Sequence, residues 1–143
     1  MTGRTGAILG LVILLIGVGG TLASTRVRTA VFGIPSSAKA PRGVRVRVQV
    51  LNATMVRGLG RRATELLRDR GFDVVEVGTA SARERGDSTF ILDRSGHPDW
   101  AARVAAAMGS GARVISRPDS SRYLDVTVLV GATWRPPAQT FHP

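Results

Sequence analysis

The sequence predicts a small α+β domain, a split β-α-β two-layer sandwich, preceded by one transmembrane helix. Three observations predict it: an uncharged apolar run near the N-terminus, two strand–helix–strand patterns in succession, and one more apolar strand after them. The resulting order, βαββαβ plus a final strand, is typical of a sheet that carries both helices on one face. We expect a mostly antiparallel sheet whose other face is open to solvent.

The first predicted element is the uncharged run at residues 6–23. As a helix it would span about 27 Å, close to the hydrocarbon core of a bilayer. Its glycines weaken a helix in water but are tolerated in lipid, where backbone hydrogen bonds have no other partner. We therefore assign residues 1–23 to a membrane anchor. A cleaved signal peptide is the alternative, with residues 21–23 as a poor small-x-small cleavage site.

A basic linker is predicted at residues 24–43, which contain prolines, serines and no sustained period. The net charge of the chain is +10, and no acidic residue precedes Glu65. The cations that follow the apolar run favour a cytoplasmic domain by the positive-inside rule. The family resemblance described below implies the opposite side of the membrane.

The folded domain is predicted at residues 44–133. Valines at alternate positions from 44 to 50 predict the first strand, and apolar residues at helical spacing predict a helix that Gly71 ends. Pro98 suits the first turn of a second helix. The later strands are predicted at 72–77, 88–92, 112–116 and 125–130, the helices at 56–70 and 98–108, and a disordered tail at 134–143.

Two groups of polar residues are candidate ligand sites. In the first group, Arg45, Arg47 and Gln49 share the face of the first strand that lies opposite the valines. They could contact a glycan or an anionic wall polymer, and an ordinary exposed face is the alternative. No aromatic residue alternates with them, which argues against the base stacking that RNA-binding sheets use.

The second group surrounds the predicted start of the first helix. It consists of Asn52, Thr54, Arg57, Gly58 and Arg61. Free backbone N–H groups and guanidinium side chains there could hold a phosphate or a carboxylate, and a solvated helix face is the alternative. Gly58-x-Gly60 also fits part of a dinucleotide fingerprint. Residues 52–57 separate it from the strand, however, and we expect no parallel sheet.

The sequence contains no recognisable catalytic or metal-binding set. His97 and His142 are the only histidines, and no acids at ligand spacing surround either one. Cysteine is absent, which excludes disulfides and thiolate ligands. We therefore predict a protein that is not an enzyme, with no catalytic residues, no metal and no cofactor.

Several segments together resemble the C-terminal domain of the LytR-CpsA-Psr cell-envelope proteins. Residues 48–54 read VQVLNAT, and Gly58-Leu59 and the GFDV of residues 71–74 follow. The DVTVLVG of residues 125–131 resembles the closing strand of that family. The resemblance covers about residues 44–133 and implies the accessory domain alone, on a membrane anchor and without the phosphotransferase domain that family members often carry.

The resemblance also implies a function in the bacterial cell envelope, with the domain outside the cytoplasmic membrane. The expected partners are the membrane, through the N-terminal helix, and peptidoglycan or a linked glycopolymer. An envelope-assembly partner such as a LytR-CpsA-Psr enzyme is also expected, whereas nucleic acid is not. The alternative is a module that faces the cytoplasm and uses its basic segment to bind anionic lipid or nucleic acid.

Overall fold

A computed structural model of the chain describes residues 38–109 and 111–138. The predicted membrane helix at 6–23, most of the predicted linker and the end of the predicted tail lie outside the described residues. Within the two described ranges, no helix is both long enough and apolar enough to cross a membrane.

The described domain has five strands and two helices in the order β1-α1-β2-β3-α2-β4-β5. This is the predicted order βαββαβ plus a final strand, so the prediction of a two-layer sandwich of one sheet and two helices is confirmed. The strands are β1 (Arg47–Asn52), β2 (Asp73–Thr79), β3 (Phe90–Asp93), β4 (Arg113–Ser116) and β5 (Val126–Val130), and the helices are α1 (Leu59–Asp69) and α2 (Pro98–Met108).

The strands form one mixed sheet in the order β2-β1-β5-β3-β4. β1 is parallel to both β2 and β5, and β3 is parallel to β4, whereas β3 and β5 are antiparallel. The expectations of a split β-α-β arrangement and of a mostly antiparallel sheet are therefore wrong. Each helix connects two strands that lie side by side, and β5 lies between these two units. The order of elements along the chain does not fix their order in the sheet, because contacts between distant segments decide strand pairing.

The main core lies on the face of the sheet that both helices cover. Val46, Val48 and Val50 are fully buried there, as are the alternate valines of β5. One apolar cluster joins these valines to side chains of both helices, as the period of two along a strand requires. The predicted apolar stripe of α1 is confirmed as buried: Leu59, Ala63, Leu66 and Leu67.

Helix α2 begins directly after a turn that Asp93 organises. The buried carboxylate of Asp93 accepts hydrogen bonds from the backbone N–H groups of Ser95, Gly96 and His97, at 3.1, 2.9 and 3.1 Å. Pro98 then occupies the first turn of α2. The N–H groups of a first turn have no partner within the helix, so the N–H that proline lacks costs no helical hydrogen bond. The predicted start of this helix is confirmed, and Asp93 serves the turn that precedes it.

The folded domain extends beyond the predicted limits of 44–133. Trp134 is 5% exposed, packs in the main core and donates a hydrogen bond from Nε1 to the Met108 carbonyl at 2.9 Å. The prediction of a disordered tail is therefore wrong at this residue, because burying the indole ring with its N–H bonded stabilises the fold. At the other end, Ala40 of the predicted linker donates its N–H to the Arg70 carbonyl at 2.9 Å.

Two loops cover the sheet face opposite the helices, here termed the loop face, which carries Gln49, Leu51, Thr127 and Leu129. Loop 80–89 packs at one end, around a second apolar cluster that includes Leu51 and Leu129. Loop 117–125 places the buried Leu124 at the other end. The expectation of a face open to solvent is therefore wrong. These strands carry apolar side chains on both faces, and burial of the second set requires a cover.

Candidate functional site: an arginine-lined cleft

A buried polar network occupies the middle of the loop face. Gln49 is only 2% exposed. Its Nε2 donates to Glu76 Oε1 at 2.6 Å, and its Oε1 accepts from the Thr127 hydroxyl at 3.0 Å. Thr127 in turn accepts a hydrogen bond from Arg94 Nε at 3.2 Å. Gln49 thus lies on the predicted face, but it is buried and its amide is bonded within the domain.

Arg47 of β1 and Arg45, which lies just before β1, each form an ion pair with an acidic residue. Arg47 reaches both carboxylate oxygens of Asp125, from Nε at 3.2 Å and from Nη2 at 3.3 Å, and its backbone N–H also bonds this carboxylate at 2.8 Å. The side-chain hydrogen bond and the charge of Asp125 raise the pKa of Arg47. Arg45 bonds Asp73 at 2.6 Å in a largely exposed pair. These arginines therefore already have protein partners.

An open cleft of about 320 Å³ lies beside the polar network. The end of β3 and loop 117–125 form its walls. Arg47, Arg94 and Arg122 line it together with Asp119 and Asp125, and we term it the arginine cleft. The pairings of β5 with β1 and with β3 bring these residues together from distant parts of the chain.

Of the arginines that line this cleft, Arg94 is the one that forms no ion pair with a described acidic residue. It is partly buried, and among the described residues no carboxylate lies within ion-pair distance of its guanidinium. Burial lowers the pKa of Arg94, and the charges of Arg117 and Arg122 lower it further, while Asp119 opposes the shift. A guanidinium whose charge is disfavoured in this way is stabilised by a bound anion.

Asp119 is anchored within loop 117–125 and is the ion-pair partner of Arg122. Its Oδ1 accepts hydrogen bonds from the hydroxyl and the backbone N–H of Ser121. These bonds lower the pKa of Asp119, and the charges of Arg94 and Arg122 lower it further. Arg122 approaches its other oxygen at 4.0 Å. The carboxylate is therefore ionised at neutral pH and balances part of the positive charge around the cleft.

The second predicted group lies at the far end of β1, where Asn52 and Thr54 bond each other. Asn52 Oδ1 accepts from the backbone N–H and the hydroxyl of Thr54, at 3.1 and 2.9 Å. Asn52 Nδ2 donates to the Val56 carbonyl at 2.8 Å, and the Val56 N–H donates to the Thr54 hydroxyl at 2.9 Å. These hydrogen bonds hold the turn between β1 and α1, so most polar groups of Asn52 and Thr54 already have partners within the turn.

Arg57, Gly58 and Arg61 lie at the start of α1. Gly58 has a φ of +84°, a left-handed conformation that glycine adopts without strain. Arg61 pairs with Glu65 at 2.9 Å, whereas Arg57 is exposed and makes no ion pair with a described residue. Asn52 is about 16 Å along the strand from Arg47, so the two predicted groups form separate surfaces.

Nucleotide and metal sites were the other possibilities that the sequence raised. The parallel pairing of β1 with β2 removes one of the two arguments against a dinucleotide fingerprint at Gly58-x-Gly60. The spacing argument stands, because the turn held by Asn52 and Thr54 separates the strand from Gly58. Among residues 38–109 and 111–138, no group of three or more His, Asp or Glu side chains is placed to hold a metal ion.

The sequence pattern does not identify Arg94, Asp119 and Arg122 as site residues. A signal was present, because Arg117 and Arg122 flank Asp119 within loop 117–125. Nothing in the sequence links this loop to β1, however. That link depends on the insertion of β5 between the two halves of the sheet.

Comparison with known proteins identifies the family. A family model described as LytR cell envelope-related transcriptional attenuator matches residues 45–134, a segment that contains all the described strands and helices and ends on the buried Trp134. No curated protein and no solved structure matches the chain. Since the matched segment covers more than half of the 143 residues, the chain belongs to the LytR C-terminal domain family of cell-envelope-related proteins.

Proposed function

We propose that this protein is a membrane-anchored, non-catalytic component of the bacterial cell envelope. Its domain lies outside the cytoplasmic membrane and binds peptidoglycan or a linked anionic glycopolymer, or an envelope-assembly partner that presents such a group. Membership of an envelope-related family supports the cellular setting. The uncharged run at residues 6–23 supports the anchor.

The observation that carries the binding proposal is the state of Arg94. Its guanidinium is partly buried in the arginine cleft, bonds a hydroxyl group and has other cations nearby. A phosphate or carboxylate group in the cleft would complete its hydrogen bonds in the planar geometry that guanidinium favours.

The acids of the cleft support binding rather than catalysis. Asp125 is held by the side chain and the backbone of Arg47, and Asp119 is held by Ser121. Because its pKa is lowered, Asp119 is unsuited to exchange protons near neutral pH. The two carboxylates limit the positive charge of the cleft and fix the positions of its arginines.

Co-sedimentation with purified, insoluble cell-wall material tests this proposal. We expect the full-length chain, in mild detergent, to sediment with the wall material. Arg94→Gln should weaken the binding about 10- to 100-fold, the range for loss of charge-assisted hydrogen bonds. Arg113→Gln is the matched control, because Arg113 is exposed on β4, at the opposite end of the strand pair from Arg94. Equal binding by Arg94→Gln and the wild type would contradict the assignment of the cleft.

The turn between β1 and α1 is tested in the same assay. The double variant Arg57→Gln/Arg61→Gln removes the two cations at the start of α1 and leaves the arginine cleft intact. We expect it to sediment like the wild type. If it loses binding while Arg94→Gln keeps it, the binding site lies at the start of α1.

A reporter fused to the C-terminus tests the orientation in the membrane. A reporter that is active only outside the cytoplasmic membrane should be active, and the chain should fractionate with membranes. Activity of the matching cytoplasmic reporter instead would favour the alternative, a module that faces the cytoplasm and meets anionic lipid or nucleic acid.

A further inference from the structure

The arginine cleft adjoins a second shallow cleft that an exposed aromatic ring lines. Tyr123, the only tyrosine of the chain, is 87% exposed and lines this second cleft with Val75 and Glu76. Arg122 and Leu124 line both clefts. The two clefts therefore adjoin along loop 117–125, and we term them together the groove, with a cationic part and an aromatic part.

The loop holds the aromatic part in place through its neighbours. Leu124 is buried, which anchors the loop next to Tyr123. Val75 of β2 is about half exposed, so apolar surface adjoins the ring. Glu76 Oε1 is fixed by its hydrogen bond from Gln49, which leaves Oε2 to accept from a bound molecule.

A sugar ring has the chemistry that fits such a surface. The C–H groups on one face of a pyranose form an apolar patch that packs on an aromatic ring, while its hydroxyl groups bond carboxylates and guanidinium groups at the edge. Tyrosine suits this role because its body is apolar and its tip is polar. The neighbouring arginines suit an anionic substituent on the sugar.

We infer that the groove binds a sugar unit that carries an anionic group, with the ring on Tyr123 and the anion held by Arg94 and Arg122. This inference rests on the proposed function and specifies its ligand class. The anionic group has two chemical sources, a phosphate ester or a carboxylate, and the guanidinium groups recognise both.

A ligand-observed NMR titration of the full-length chain in detergent micelles tests the inference. The probes are N-acetylglucosamine 1-phosphate, N-acetylmuramic acid, uncharged N-acetylglucosamine and inorganic phosphate. We expect one of the two acidic sugars to bind tighter than both the uncharged sugar and inorganic phosphate. The preferred acidic sugar identifies the anionic group.

Variants separate this inference from the proposed function. Tyr123→Ala should weaken acidic-sugar binding roughly three- to tenfold and change phosphate binding less than twofold, whereas Tyr123→Phe, which keeps the ring and loses only the hydroxyl, should weaken acidic-sugar binding less than Tyr123→Ala does. Arg94→Gln should weaken both probes. Unchanged acidic-sugar binding by Tyr123→Ala overturns the inference and leaves the cleft intact. Unchanged binding by Arg94→Gln, or the absence of any binding by the wild type, overturns the proposed function as well.

Discussion

The two faces of the central strands are both buried, but by different chemistry. On the helix-covered face, Val48, Val50 and Val128 contact an apolar cluster. On the loop face of the same strands, Gln49 and Thr127 are equally buried and form a hydrogen-bonded network. Apolar burial is non-directional, whereas a hydrogen bond needs its partner at a defined position. The helix face therefore carries the larger apolar cluster, a smaller one lies at one end of the loop face, and the polar network of the loop face fixes the positions of the groups around the arginine cleft.

The largest effect should follow a change on the helix-covered face. Leu67 of α1 is fully buried, so Leu67→Ala should lower the free energy of unfolding by about 2–5 kcal/mol through lost burial and a cavity. Urea unfolding measures this loss. Arg62→Ala, on the exposed side of the same helix, is the control and should change the stability by less than about 0.5 kcal/mol. A loss below about 1 kcal/mol for Leu67→Ala would contradict the expected contribution of the apolar cluster on this face to stability.

A smaller effect should follow a change in the polar network of the loop face. Gln49→Leu removes the partner of the buried Thr127 hydroxyl, which should lower the free energy of unfolding by about 1–3 kcal/mol. Adding Thr127→Val removes the hydroxyl that has lost its acceptor, but it also removes the hydrogen bond from Arg94 Nε to that hydroxyl, so the double variant should lose less stability than the sum of the two single variants. Urea unfolding of the two single variants and the double variant tests this coupling. Simple addition of the two losses would mean that the residues act independently.

The smallest effect should be a pH-dependent one at the edge of the loop face. The Ser81 hydroxyl donates to Glu84 Oε2 at 2.7 Å, and this bond is the main cause of the lowered pKa of Glu84, with smaller contributions from Arg117 and Arg94. A carboxyl with a lowered folded-state pKa stabilises the fold above its unfolded pKa, which is 4.5 for glutamate here, and this contribution is lost as the pH falls through the folded value. Ser81→Ala should therefore be less stable than the wild type at about pH 7.

Urea unfolding of the same variants at acidic pH sharpens the comparison of the two faces. As the pH falls from about 7 to below 4.5, the difference in urea midpoint between Ser81→Ala and the wild type should shrink, because the contribution of this bond is lost as Glu84 gains its proton. The loss from Leu67→Ala should stay nearly constant between the two pH values, since no titrating group takes part. A difference for Ser81→Ala that is equal at both pH values would show that the bond to Glu84 does not matter for stability.

The elements of the fold were predictable because each depends on local periodicity. The alternating valines predict the buried face of the first strand, which is confirmed for Val46, Val48 and Val50, whereas Val44 lies before β1 and is exposed. The helical spacing predicts the buried stripe of α1, which is confirmed. Gly71 was predicted to end α1 and has the positive φ of +85° that suits this position. The motifs at residues 48–54 and 125–131 indicated the family, which the match over residues 45–134 confirms.

The candidate site was only partly predictable, because its residues come from distant segments. Arg47 was identified from the polar face of β1, whereas Arg94 and Arg122 were missed, since nothing in the sequence places loop 117–125 beside that strand. The alternation along β1 places Gln49 on the correct face but predicts an exposed side chain. Gln49 is buried because two loops cover that face, and the sequence of the strand itself does not indicate this cover.

The sequence by itself determined which segments form strands and helices, which valines face the core and which family the chain resembles. The physical reason is that side-chain periodicity and turn residues act within a few positions along the chain. The tertiary structure alone decided the strand order, the cover over the loop face and the meeting of Arg47, Arg94 and Arg122 in one cleft. Those features depend on which distant strands pair, and pairing is settled by the packing of the whole domain.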